Sequence, residues 1–187
     1  MDVIPEFRFG ILNAWLPLSV YFFGLTVSVL TFPRDKRKKL FLEPQYPVGH
    51  PRWFVLLAGR IAAVAFVLLS LVTPLHPGPA TFTIGVALYI IGYAVVMVAL
   101  ADFRRAPADG IVNEGLYRYS RNPQWVGLVG VYVGTALATG AVLPLALVLV
   151  LVGAYHAQIL LEEAICLSAY GERYREYVAR VPRYLGM

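Results

Sequence analysis

Gly115-Leu116-Tyr117-Arg118-Tyr119-Ser120-Arg121-Asn122-Pro123-Gln124-Trp125-Val126-Gly127 is a polar and aromatic island between apolar runs long enough to cross a bilayer. Proline suits the first turn of a helix, where its missing N–H has no partner to lose, so Pro123 marks a helix start. Asn122, just before it, is placed to cap the amides of that turn, and such a start attracts anionic groups. Arg118 and Arg121 are placed to clamp a carboxylate or phosphate, although contact with lipid headgroups is the plainer reading of both.

Downstream, the chain stays apolar from Gln124 to Leu161, about twice the ~20 residues of one crossing. Gly140 and Pro144 mark the middle of that run and split it into a hairpin of two spans. Gly127, Gly130 and Gly134 line one helix at near-GxxxG spacing, which predicts backbone-close packing inside the bundle and favours a monomer. Glu162-Glu163 follows the run, with His156 and Gln158 on the preceding turns. Adjacent carboxylates at a membrane edge repel each other and lose solvation. Two readings stay open: exposure or pairing with arginines of the tail, or a polar pocket that receives a cation or a hydroxyl-rich ligand. In the tail, Leu167, Tyr170, Tyr174, Tyr177, Val178 and Val181 recur at helical spacing and predict an amphipathic helix that Pro182 ends.

Upstream, Ile11 to Phe32 is too long for a signal-peptide core and reads as a first span that Pro33 stops. Arg34, Lys36, Arg37, Lys38 and Lys39 form a basic block, and Pro44, Pro47 and Pro51 predict an irregular loop after it. Trp53 to Thr73 is the second span. Arg60 lies about 10 Å inside it and either snorkels to the surface or lines a polar pocket. A short uncharged turn around His76 leads to the third span, Ala80 to Ala101, where Gly85 and Gly92 allow close helix contacts. A polar loop then runs from Asp102 to Pro123.

The chain of 187 residues is 59% hydrophobic with a mean hydropathy of +0.66, above the range of soluble domains. We therefore expect one all-α integral membrane domain over residues 1–187, with about five transmembrane helices and a C-terminal amphipathic cytoplasmic helix. Of the 16 Lys and Arg, all but Arg8 and Arg60 fall in the first loop, the third loop or the tail. That bias puts the N-terminus outside and the C-terminus in the cytoplasm, with both polar clusters on the cytoplasmic face. The net charge of +5 reads as a basic rim facing anionic membrane lipids, and nothing points to nucleic acid. Cys166 is alone and reads as a packing residue. His50, His76 and His156 share no ligand spacing, so no metal site is expected.

The pattern Gly115-x-Tyr117-x-x-x-Arg121-Asn122-Pro123-x-Trp125-x-Gly127 resembles the GxYxxxRHPxYxG motif of the superfamily of isoprenylcysteine carboxyl methyltransferases and phospholipid (phosphatidylethanolamine) methyltransferases. Glu162-Glu163-x-x-x-Leu167-x-x-x-Gly171-x-x-Tyr174-x-x-Tyr177-x-x-x-Val181-Pro182-Arg183 resembles that superfamily's C-terminal signature; the likeness covers the C-terminal part of the chain, and residues 102–187 carry the cofactor-binding motifs it implies. Asn122 replaces its histidine, closer to the phospholipid branch, and Asp109 stands where a histidine often precedes the loop. The resemblance implies S-adenosylmethionine as cofactor, S-adenosylhomocysteine as product, and a lipophilic acceptor entering from the bilayer. It implies Gly115, Leu116, Tyr117, Asn122, Pro123, Gln158, Glu162 and Glu163 as cofactor contacts. It makes Arg121 and Glu163 the catalytic candidates, with Asp109 as another candidate base for an amine acceptor. Arg60, Trp125, Tyr177 and Arg183 are the candidates for the acceptor side. Two other classes compete: an NADPH-dependent reductase of the sterol-reductase type, and a non-catalytic membrane adaptor.

Overall fold

Proline and glycine set most helix boundaries in the computed structural model, which describes residues 3–34, 36–37, 50–107 and 110–186. Helix α1 spans Trp15–Leu30 and stops ahead of Pro33. Helix α2, Pro51–Val72, opens on proline, and the His50 ring accepts the Arg52 N–H at 3.2 Å. Helix α3 is Ala80–Arg105, and a 3-10 turn, Gly115–Arg118, follows it. Helix α4 is Pro123–Ala138 and α5 is Val142–Tyr170, joined through Gly140 at φ +67°. Gly171, at φ +55°, breaks the chain before α6, Glu172–Arg180. Among the described residues there is no strand. Lys38, Lys39, Pro44, Pro47 and Asp109 lie outside the described residues.

Three helices have the length and composition to cross a membrane: Arg52–Val72 with 21 residues, Ala80–Arg105 with 26 and Val142–Tyr170 with 29. The expectation of about five spans is met only in part. Helices α1 and α4 have 16 residues each; at 1.5 Å per residue that is about 24 Å, against about 30 Å of hydrocarbon. The apolar hairpin is present where Gly140 and Pro144 put it, but its second helix does not end at Leu161. Nothing between Leu161 and Tyr170 breaks a helix, and glutamate, alanine and leucine favour one, so α5 continues through Glu162-Glu163. Of the expected apolar tail face, Tyr174, Tyr177 and Val181 are buried, whereas Leu167 and Val178 are each 39% exposed.

The core forms where the small residues allow helices to touch. Helix α4 lies between α3 and α5, while α2 packs along α5. A methyl group added at Gly92 would meet the Gly127 carbonyl oxygen at 2.6 Å and the Val131 nitrogen at 2.7 Å. At Gly134 it would meet the Gly85 oxygen at 2.5 Å. The glycines of α3 and α4 therefore face one another, and the predicted close packing lies inside the bundle. Gly92→Ala is expected to force the two backbones apart and cost about 1–3 kcal/mol, the usual range for overpacking. A thermal unfolding midpoint in detergent equal to that of the unaltered chain would contradict this. At the end of the bundle away from the polar clusters, buried Asn13 donates to the Arg8 carbonyl at 2.6 Å and the Leu71 carbonyl at 2.8 Å. This ties the N-terminal segment to α2.

Candidate functional site

The site is assembled from the 3-10 turn, the start of α4, the far third of α5 and α6. Gly115 initiates the turn at φ +59°, where side chains are strained, and its Cα lies hard against the Asp102 carboxylate. That carboxylate accepts the Leu116 N–H at 2.9 Å, so the end of α3 fixes the turn. Gly115→Ala adds both left-handed strain, about 1–2 kcal/mol, and a clash with Asp102. It is expected to lower the unfolding midpoint and weaken ligand binding together. Tyr117 is buried behind the turn: its hydroxyl accepts from Gln124 Nε2 at 2.9 Å, and its carbonyl accepts the Tyr177 hydroxyl at 2.8 Å.

The Arg-Asn-Pro segment is held against the C-terminal tail. The Arg121 amide donates to the Pro182 carbonyl at 2.9 Å, and Ser120, fully buried, donates to the Arg183 carbonyl at 3.1 Å. Asn122 does not cap α4 through its side chain, contrary to the expectation. Its amide nitrogen donates instead to Glu163 Oε1 at 3.3 Å and to the Arg183 carbonyl at 3.2 Å. Pro123 does open the helix.

The two glutamates are successive residues of a helix, so their side chains diverge by about 100°. Glu162 accepts from the Trp125 indole at 3.3 Å and from Gln158 at 3.2 Å. Glu163, with its side chain 12% exposed, is the hub of an ion cluster. Arg183 grips it in a fork, Nη2 to Oε2 at 2.8 Å and Nε to both oxygens at 3.1 Å. Arg121 Nη2 lies 3.5 Å from Oε1. The Arg121 side chain is only 8% exposed, and its Nε and Nη1 have no hydrogen-bond partner. Buried guanidinium donors are almost always satisfied, so two orphans on one side chain mark a costly position for this charge.

A cavity of about 420 Å³ lies against Arg121. Arg121, Asn122, Glu162 and Glu163 form its polar wall, and Phe103, Tyr117, Trp125, Tyr170, Tyr174 and Tyr177 its aromatic one. Burial pushes the hydroxyls of Tyr117, Tyr174 and Tyr177 well above the ordinary phenol range, so at neutral pH they donate and cannot act as bases. The Glu163 hydrogen bonds hold Arg183 still more firmly protonated.

Of the residues singled out in the sequence, Tyr117, Arg121, Asn122, Trp125, Glu162, Glu163 and Tyr177 thus share one cavity. Gly115, Leu116, Pro123, Gln158 and Arg183 frame it through the contacts above. Arg118 is exposed and outside it, and Arg60 is exposed on α2 and does not line it. Sequence reasoning did not single out Lys36, Asp102, Ser120 or Gln124, and it took Cys166, which lines the cavity, as packing alone. Asp102 carried a usable signal, since a carboxylate ending an apolar helix asks for a donor. Ser120 carried none. Among the described residues no cluster of His, Cys, Asp and Glu could hold a metal ion.

No curated protein and no solved structure matches the chain. A family model described as phospholipid methyltransferase matches residues 80–173, just over half of the sequence. The matched stretch runs from the start of α3 to the start of α6 and contains the turn, the Arg-Asn-Pro segment and both glutamates. The chain therefore belongs to the phospholipid methyltransferase family.

Proposed function

We propose that this membrane protein transfers a methyl group from S-adenosylmethionine to a lipophilic acceptor that enters from the bilayer, on the cytoplasmic face. The observation that carries the reading is the aromatic cavity lined by Arg121 and two glutamates, inside the stretch that matches the family. That donor set fits an amino-acid zwitterion bearing a sulfonium: an anion for Arg121, cations for the carboxylates and the aromatic faces. When bound, the cofactor supplies an electrophilic methyl group and leaves as S-adenosylhomocysteine.

The chain's own residues do the rest. Arg121 binds the carboxylate and so fixes the ligand's register. Glu163 neutralises Arg121 and ties it to the tail, and Glu162 stands on the same wall of the cavity, within reach of the ligand's ammonium or ribose hydroxyls. Trp125, packed at a tilt against Tyr155 with centroids 4.7 Å apart, seals the floor toward the bundle. Tyr174 and Tyr177 of α6 cover the site and exclude water, which strengthens every charge interaction inside. Such a reaction depends mainly on positioning, and a rigid, packed frame provides it. Apolar residues at the cavity edge, among them Ile165 at 42% exposure, give a lipophilic acceptor a way in from the side. Arg104, Arg105, Arg173, Arg175 and Arg180 lie at this end of the bundle, a basic bias that supports the cytoplasmic placement.

Titration of the detergent-solubilised protein with S-adenosylhomocysteine is expected to show saturable 1:1 binding, and titration with NADPH none. Saturable binding of NADPH alone would reverse the assignment in favour of a reductase. Incorporation of radiolabelled methyl groups into lipid extracts then identifies the acceptor.

A further inference from the structure

The segment before α1 combines exposed apolar side chains with a fixed backbone. Val3, Ile4, Phe7, Phe9, Ile11 and Leu12 are all exposed, Phe9 at 82% and Ile11 at 79%. The Val3 carbonyl accepts the Leu143 N–H at 3.2 Å, and the Leu12 carbonyl accepts the Leu75 N–H at 2.9 Å. The Arg8 N–H donates to the Val72 carbonyl at 2.8 Å, and the Arg8 carbonyl accepts from Asn13. The Gly10 carbonyl accepts the Trp15 indole N–H at 3.0 Å. The segment is thus an irregular strap across the end of α2 and the start of α5, bonded through its backbone and apolar on its outside.

Two lengths give its level in the bilayer. Leu143, which holds Val3, and Glu163, in the candidate site, stand 20 residues apart on α5, about 30 Å at 1.5 Å per residue. The apolar stretch of α2, Arg52–Val72, has 21 residues and ends where Arg8 is bonded. Hydrocarbon is about 30 Å thick, so a site at one boundary puts the strap at the other. We infer that residues 3–12 are an interfacial anchor whose apolar side chains insert into the lipid leaflet opposite the candidate site. A carbonyl without a partner is costly at the edge of hydrocarbon, and those of Val3, Arg8, Gly10 and Leu12 already have one. A backbone already fixed loses little freedom on insertion. The strap also adds apolar surface next to α1, whose 16 residues fall short of the hydrocarbon thickness. Its charges are one glutamate, Glu6, and one arginine, Arg8, so insertion of apolar side chains and not attraction to anionic lipid holds it. Such an anchor depends on the membrane architecture alone and is independent of methyl transfer.

The test is fluorescence of the full-length protein in phosphatidylcholine vesicles, with Phe9→Cys in a Cys166→Ser background carrying a nitrobenzoxadiazole dye. A nitroxide near the headgroup end of the acyl chain is expected to quench the dye at least about twofold more than one near the chain terminus, as a depth of about 5–10 Å requires. Aqueous iodide is expected to quench it weakly. Strong iodide quenching with none by either nitroxide would place the strap in water and overturn the proposal. Stronger quenching by the deep nitroxide would place it inside the hydrocarbon and overturn it equally. Replacing part of the phosphatidylcholine with phosphatidylglycerol is expected to change nothing, and insertion only into the anionic vesicles would refute an apolar anchor. Protection from iodide is expected to persist as the protein is diluted with lipid; protection lost on dilution would make a second copy of the chain, not lipid, the partner. Ile11→Cys, labelled in the same way, is expected to report the same depth, and a label there that reports water would overturn the strap as a unit.

Discussion

Arg121→Met is expected to lower kcat/KM for methyl transfer by about a hundredfold, the loss of a charge-assisted contact to the ligand at about 1.5–3 kcal/mol. The affinity for S-adenosylhomocysteine should fall with it, because the same carboxylate is present in the product. The ligand-free protein should behave differently. Among the described residues Nε and Nη1 of Arg121 are buried without partners, and the side chain's ion pair to Glu163 is at 3.5 Å, while Glu163 keeps its forked contact with Arg183. Removing the guanidinium therefore relieves a desolvation cost, and the unfolding midpoint should stay level or rise by the equivalent of about 1 kcal/mol. A large activity loss combined with unchanged stability separates a binding residue from a structural one. Arg121→Lys should recover little, since a single ammonium cannot reproduce a planar fork. A variant that loses stability and activity in parallel would make Arg121 a strut rather than a ligand contact.

The sequence revealed the parts of this molecule that follow from local rules. Glycines spaced along α3 and α4 announced a backbone-close interface, and Gly140 with Pro144 announced the hairpin, because both depend on what a residue does to its own helix. Asn122 shows where local rules stop. Ahead of Pro123 it has the character of a cap, but Glu163 and the Arg183 carbonyl, far along the chain, draw its side chain away. The end of α5 failed for a related reason. A change from apolar to charged residues marks the end of the hydrocarbon, not of the helix, and the helix runs on until Gly171. The twin glutamates looked like one feature, yet the 100° between helix neighbours gives them separate partners. Lys36 was invisible as a site residue because its place depends on how the first loop meets the end of α3.

Glu163→Gln should be the most destabilising substitution in the site, at about 3 kcal/mol, because it leaves the buried Arg121 charge without a counter-ion. Both members of that pair are nearly out of water, at 8% and 12% side-chain exposure, so solvent cannot take over. Arg183, at 32%, is better solvated, and Arg183→Met should cost about 1 kcal/mol or less by comparison. Glutamine can still accept from Asn122, so the difference measures charge and not shape. The tail should loosen as well, since Glu163 is what Arg183 grips, and trypsin should then cut after Arg180 and Arg183 faster than in the unaltered chain. A double-mutant cycle makes the argument quantitative. Glu163→Gln combined with Arg121→Met should be more stable than Glu163→Gln alone, because the second change removes the charge that the first exposed. Glu162→Gln should weaken S-adenosylhomocysteine binding, since its carboxylate lines the same cavity. If the double variant were the weakest of the set, Glu163 would not be the counter-ion that keeps Arg121 tolerable in the buried site.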